Sequence, residues 1–172
     1  MAFRRWVEGI LPSVSPQVVA LDGKTSRRSA KACEAPLHLV SAFAADAGVI
    51  LGQQATATKS NEKTAIPDLL ASLALEGCIV TIDAMGTQPS IAQAIRDRRA
   101  DYVLAIKDNQ PQLKEAIDDF FAQFCAAPAA QTPHQVNEEV NKAHGRLETR
   151  RCYVFDALDC LPKPARWPDL RC

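Results

Sequence analysis

The sequence predicts an α/β fold in which a mixed β-sheet carries helices on both faces, and three observations support that expectation. Three early runs of apolar and β-branched residues follow one another closely, as antiparallel strands joined by turns do. Further along, short apolar runs alternate with stretches of helical period, the pattern of parallel strands linked by crossover helices. The 172 residues are 47% hydrophobic and 23% charged. That is the make-up of one folded domain, able to bury roughly 70% of the surface its unfolded chain exposes.

Taken in order, Gln17–Asp22 (QVVALD) is too short for a helix and ends at the turn residue Gly23, so it reads as a buried strand. Leu37–Ala45 and Val49–Thr58 form a hairpin around Asp46-Ala47-Gly48. Ile66, Leu69, Leu70 and Leu73 recur at the spacing of one helical face. Asn61 or Thr64 caps this helix, Pro67 is tolerated near its start, and Gly77 ends it. Cys78–Asp83 (CIVTID) is a near-continuous apolar run, the signature of a strand covered on both faces. Ser90–Arg99 is a helix capped by Ser90, and Asp101–Lys107 (DYVLAIK) is a further buried strand. Gln110–Ala126 is a helix with Leu113, Ile117, Phe120, Phe121 and Phe124 on one stripe, read as core packing rather than a base-stacking platform. Pro128–Asn141 reads as a polar loop and Arg146–Leu158 as a strand, after which LPKPARWPDLRC supplies no terminating element. The resulting order, β-β-β-α-β-α-β-α-β, is that of ribonuclease-H-like sheets.

Composition excludes several classes. Twenty Lys+Arg balance twenty Asp+Glu, and no stretch approaches the ~18 apolar residues of a membrane span. Glu8 interrupts the apolar run after Arg4 and Arg5, which makes a poor signal peptide. The six cysteines show neither a CxxC pair nor zinc-like spacing, so they read as free cytosolic thiols. The histidines His38, His134 and His144 share no metal-ligand spacing. Charge is nevertheless uneven: Lys24, Arg27, Arg28 and Lys31 crowd the segment just past Asp22. A solvated basic loop explains such a cluster on its own.

Two aspartates stand at matching positions, Asp22 in VVALDG and Asp83 in IVTIDAMG, each at the end of an apolar strand. A carboxylate there emerges at the sheet edge where α/β proteins place ligands. If the first and fourth strands are neighbours, the two converge, and close carboxylates repel unless a cation lies between them. Oxygen-only ligands favour Mg²⁺ or Mn²⁺. Such a site activates a water or a 3′-hydroxyl and stabilises the leaving oxygen of a phosphodiester, with two metals ~3.5–4 Å apart. The competing reading of each aspartate is a turn residue or helix cap.

The segments VVALDGKTSRRS (18–29), LHLVSAFA (37–44), KSNEKTAIPDLL (59–70), GCIVTIDAMGTQ (77–88), DYVLAIKDNQ (101–110) and HGRLETRRC (144–152) resemble the ISAs1 family of bacterial insertion-sequence transposases, part of the IS4-related DDE group. The resemblance covers most of the chain in the right order. It implies a retroviral-integrase-like ribonuclease H core that cuts and joins DNA at an element's ends, with Asp22 and Asp83 as the first two catalytic, metal-holding acids. Lys24, Lys59, Asn61, Glu62, Lys107, Asn109 and Gln110 match recurrent family positions, with no role assigned from sequence. Lys24, Arg27, Arg28, Lys31, Lys59 and Lys107 are the expected DNA contacts, neutralising phosphates in a salt-sensitive, sequence-blind way.

Two departures concern local geometry: Asp108 stands where the family shows KGNQ, and Ala143 where it shows KGHGR. The third concerns length. The family's third acid resembles part of a downstream R-x-HW-x-IEN-x-LHW helix motif, absent from this sequence. Glu148 is a weak substitute, read otherwise as a strand charge paired with Arg146 or Arg150. Residues 1–15 are then expected to be a remnant of the N-terminal region and 16–127 the catalytic core. Residues 128–172 are expected to be a loop, a strand and a truncated C-terminal segment, leaving the fold incomplete there, with Trp167 and Pro168 belonging to an interface. Catalysis is expected to be absent or severely reduced, and the alternative reading is an inactive DNA- or transposase-binding remnant. Implied partners are terminal-repeat and target DNA, with homo-oligomers allowed and no membrane, in a cytoplasmic, nucleoid-associated setting.

Overall fold

The apolar run at Val18 forms the first strand, but it does not stop at Gly23. The computed structural model describes residues 17–26, 37–56, 62–127, 133–143, 145–156 and 158–170. In it β1 spans Val18–Ser26. Strand β2 (Leu37–Ala44) pairs antiparallel with β1 along its length, from Val19 opposite Ala44 to Ser26 opposite Leu37. Glycine permits a turn without requiring one, and at Gly23, opposite Val40, the ladder holds the chain extended. Strand β3 (Val49–Thr56) continues the antiparallel meander. Gly48 supplies the hairpin's positive φ of 67° and returns its N–H to Ala44 O at 2.9 Å. Strands β4 (Ile79–Ile82) and β5 (Asp101–Leu104) add in parallel on the other side of β1, giving the order β3-β2-β1-β4-β5. Three antiparallel strands followed by parallel crossovers is the arrangement the sequence predicts.

Helix α1 covers Glu62–Ala71 and runs through Pro67, with Thr64 inside it rather than capping it. Asn61 lies outside the described residues. The helix stops well before Gly77, whose φ of 76° instead turns the chain into β4, while its N–H donates to Arg99 O at 2.9 Å. Helix α2 (Pro89–Arg96) has its N-cap at Gln88, not Ser90, because Pro89 takes the first-turn position where its missing N–H costs nothing. Val19, Leu21, Val40, Ala42, Val80 and Ile82 of the sheet form one core with Ile66, Leu69 and Leu70 of α1 and Ile91 and Ile95 of α2.

The opposite sheet face differs from the expectation of two covered faces. Strand β4 alternates between exposed and buried positions, with Ile79 40% exposed and Val80 fully buried. Val18, Phe43, Ile50 and Val103 are likewise exposed. The run CIVTID is apolar on both sides, yet both helices of this unit pack on the same one.

The chain divides into two compact units between Gln110 and Pro111. In the second, α3 (Pro111–Ala126) carries the aromatic stripe. The expected loop at 128–141 is instead mostly strand: β6 (His134–Ala143) and β7 (Arg146–Phe155) pair over their whole length. Its polar sequence, HQVNEEVNKA, belongs to a two-stranded ribbon exposed along β6 and most of β7, so apolar alternation could not reveal it. At the ribbon's base, Phe155 meets Phe120, Phe121 and Phe124 edge-on at 5.0, 5.3 and 4.8 Å, which is the core packing read from the stripe. The Glu138 carboxylate accepts from Arg151 across the ribbon and raises that guanidinium's pKa.

Trp167, expected at an interface, is buried within the chain, just after the short 3-10 turn Pro164–Arg166. Neither Asp108 nor Ala143 has a positive φ, so the two departures from family glycines carry no backbone strain; in the ribbon turn it is Gly145, at 75°, that does. Among the described residues no helix is long and apolar enough to cross a membrane.

Candidate metal centre

The parallel ladder between β1 and β4 ends at Leu21 opposite Ile82. Asp22 and Asp83 are each one residue past that last pair, Asp22 still within β1 and Asp83 just beyond the end of β4. Leu21 and Ile82 are buried on the helix side. Alternation assigns both aspartates to the other face, and both are exposed. Asp22 differs from its predicted setting in one respect: it ends the pairing with β4 but lies mid-strand against β2, opposite Ser41.

Each carboxylate has one local partner. Asp22 Oδ2 lies 3.1 Å from Lys24 Nζ, two residues along the same face, and both side chains are more than half exposed. Such a pair contributes about 0–1 kcal/mol, so it neutralises Asp22 without locking it. Asp83 Oδ1 accepts the Met85 N–H at 3.1 Å and caps a 3-10 turn, Ala84–Gly86. The capping reading of Asp83 is thus true of one oxygen and leaves Oδ2 for another ligand. Two exposed carboxylates offer hard oxygen donors alone, the donor type that suits Mg²⁺ or Mn²⁺. Among the described residues no group of three or more His, Cys, Asp or Glu side chains gathers to hold a metal.

Polar groups continue from Asp22 across the sheet. Gln53 lies opposite Ser41 on β3 and donates from Nε2 to Ser41 Oγ at 2.9 Å. Beyond Asp83, the turn leading to α2 is laced to the loop after β5. Thr87 is buried and donates from Oγ1 to Ala105 O at 2.6 Å, Gln110 Nε2 donates to Thr87 O at 3.0 Å, and Asn109 Nδ2 donates to Ala84 O. Sequence reading passed over Ser41, Gln53 and Thr87 and left Asn109 and Gln110 without a role. Strand parity was the available signal for Ser41, since the hairpin register places it opposite Asp22.

Of the expected DNA contacts, Lys24 stands beside Asp22 and Lys107 is exposed in the loop after β5. Arg27, Arg28, Lys31 and Lys59 lie outside the described residues. Glu148 is in the second unit, on β7, where its Oε2 pairs with Arg150 Nη2 at 3.0 Å. His38 is buried against Thr25 Oγ1 at 2.8 Å, and His134 sits in the aromatic cluster.

The transposase DDE domain family matches residues 14–158, a span that includes both aspartates. The chain is 41% identical over 150 residues to "Putative transposase YncI" of Escherichia coli (strain K12), covering 86% of this chain and 59% of that protein. It is 36% identical over 160 residues to "H repeat-associated putative transposase YbfD" of the same strain, covering 92% and 62%. A third relative, "Uncharacterized protein in dhlA 3'region" of Xanthobacter autotrophicus, is 42% identical over 154 residues, covering 89% and 51%. The chain thus spans about half to three-fifths of the length of these relatives. With that match running through every strand of the sheet, the chain belongs to the transposase DDE domain family.

Proposed function

We propose that this chain supplies the ribonuclease-H-like, retroviral-integrase-like core of an ISAs1-type DDE transposase, with Asp22 and Asp83 as two of its three metal-holding acids. What supports the reading is that Asp22 and Asp83 each directly follow the last parallel pair of β1 and β4, Leu21 with Ile82. A divalent cation, Mg²⁺ or Mn²⁺, supplies Lewis acidity for attack by water or a 3′-hydroxyl and for departure of the phosphodiester oxygen. The chain's own residues do the rest. Asp22 presents its carboxylate from within β1 and Asp83 from the residue after β4, and Lys24 balances the Asp22 charge. Lys24, Arg27, Arg28, Lys31, Lys59 and Lys107 bind phosphates on either side of the scissile bond, which fixes the duplex without reading its sequence. Residues 16–127 form this core, and the third acid comes from outside the pair, Glu148 being a poor candidate while held by Arg150. In the intact protein the reaction cuts and joins element ends on DNA in the cytoplasm, at the nucleoid, whereas this chain by itself lacks a third acid and has little or no catalysis.

The test is binding of the chain to a terminal-repeat duplex across a salt series, with and without Mn²⁺, followed by an assay for nicking and strand transfer. The proposal expects affinity to fall steeply with salt and to rise with Mn²⁺, the Mn²⁺ effect vanishing in Asp22→Asn and Asp83→Asn. Salt-dependent binding indifferent to Mn²⁺ and to Asp83→Asn identifies an inert DNA-binding module instead. Absence of binding at low salt overturns both.

A further inference from the structure

The turn that carries Asp83 is held from outside itself. Among the described residues, the Met85 N–H is the donor that reaches the Asp83 carboxylate. The turn's direction depends on Gly86 N–H to Asp83 O at 3.1 Å, on Thr87 N–H to Ala84 O at 3.2 Å, and on three side-chain donors that cross between two loops. Asn109 donates to Ala84 O, the carbonyl directly after Asp83, and Gln110 donates to Thr87 O at 3.0 Å. Thr87 returns the link by donating to Ala105 O at 2.6 Å, one residue past the end of β5. Ala105 N–H in turn donates to Ile82 O at 3.1 Å, which prolongs the β4–β5 ladder to the foot of the turn. The loop after β5 thus grips both sides of the Asp83 turn with side-chain amides, while its own Gln110 N–H closes on Lys107 O at 3.0 Å. Nothing in this lacing touches the Asp83 carboxylate. It fixes the backbone, φ −67° and ψ 171° at Asp83, from which that carboxylate projects.

We infer that Thr87, Asn109 and Gln110 are positioning residues that set the Asp83 carboxylate against Asp22 for a divalent cation. The inference rests on the metal-site reading proposed above. It gives three residues of the TIDAMGTQ and IKDNQ segments a task other than touching DNA: they act through the Asp83 turn. Groups that orient a metal ligand from behind typically carry ten- to hundredfold of metal affinity. Here the link runs through backbone, so the lower figure applies.

The test is Mn²⁺ affinity of the full 172-residue chain, read from loss of the free Mn²⁺ electron paramagnetic resonance signal, with circular dichroism to check folding. Asp22→Asn and Asp83→Asn test the underlying reading and are expected to abolish binding. Asn109→Ala and Thr87→Val are expected to weaken binding about tenfold. Thr87→Ser, which keeps the donor, is expected to stay within about twofold of the unsubstituted chain. Adding Asn109→Ala to Asp83→Asn is expected to change nothing further, because the amide acts through that carboxylate. Thr87 is buried and its variants can unfold; Asn109 is exposed, and Asn109→Ala then decides the matter alone. Unaltered affinity in Asn109→Ala, beside lost affinity in Asp83→Asn, overturns the positioning role and leaves the metal site standing. Binding that survives Asp83→Asn, or no binding by the unsubstituted chain, overturns the metal site and this inference with it. A Thr87→Ser chain that folds but binds as weakly as Thr87→Val also overturns it.

Discussion

Replacing Gly86 with alanine puts a methyl group where the structure has no room. A Cβ on Gly86 falls far inside van der Waals contact of Ile82 Cγ2 and 3.2 Å from Ile66 Cδ1. Ile82 Cγ2 is the branch methyl of a buried strand residue, stiff at χ1, and cannot swing away. Overpacking of this kind costs about 1–3 kcal/mol, against which the loss of unfolded-state entropy returns about 0.4–1 kcal/mol. The net expectation is a loss of about 1–2 kcal/mol, or roughly 2–8 °C in the thermal midpoint at this chain length. Gly52→Ala is the internal control, because its Cβ meets Leu69 Cδ1 at 3.2 Å and Leu73 Cδ2 at 3.3 Å, the far ends of flexible side chains. It has the same entropic return without the rigid clash and is expected to stay within about 0.5 kcal/mol of the parent. Thermal unfolding of both variants, followed by far-ultraviolet circular dichroism, makes the comparison. Equal midpoints would refute the claim that the Asp83 turn is seated directly on Ile82 and Ile66.

Three other outcomes follow from the same structure. Leu70→Ala removes a side chain that is 1% exposed beneath the sheet and is expected to cost about 2–5 kcal/mol in urea unfolding; a cost below about 1 kcal/mol contradicts the core described. Lys24→Met removes an ammonium 3.1 Å from Asp22 Oδ2 and is expected to tighten Mn²⁺ binding about fivefold, the equivalent of ~1 kcal/mol for unit charges in water, while weaker binding contradicts the pairing. Phe155→Ala opens the aromatic base of the ribbon and is expected to cost about 3–5 kcal/mol, seen as lost hydrogen-exchange protection along β6 and β7; protection that persists shows the ribbon does not depend on that base.

The sequence foretold the parts of this fold that a buried face dictates. Ile66, Leu69 and Leu70 fall at helical spacing because they line a core, and the Gly48 hairpin is visible because its turn demands positive φ. Asp22 and Asp83 could be matched because each follows a short apolar run whose alternate residues are buried. The readings that failed lacked such a face or met a residue with two meanings. Gly23 reads as a terminus in the sequence, yet the pairing of Lys24, Thr25 and Ser26 with β2 carries the strand on past it. Strand β6 buries nothing along its length, so Val136 and Val140 were too few to mark it. The lacing through Thr87, Asn109 and Gln110 joins loops after two different strands, a relation that only the parallel β4–β5 pairing creates.

The proposed cation site shared by Asp22 and Asp83 is tested most directly by iron-directed backbone cleavage. Fe²⁺ takes the place of Mg²⁺ in oxygen-donor sites, and ascorbate with peroxide then cuts the chain beside the bound ion. Fragments sized by mass spectrometry are expected to report two cuts in the same molecule, one at Asp22 in β1 and one at Asp83 after β4. Both are expected to disappear with excess Mg²⁺ and with either Asp22→Asn or Asp83→Asn. Cuts confined to one of the two strands, or cuts at both that outlast the substitutions, would contradict a shared cation site.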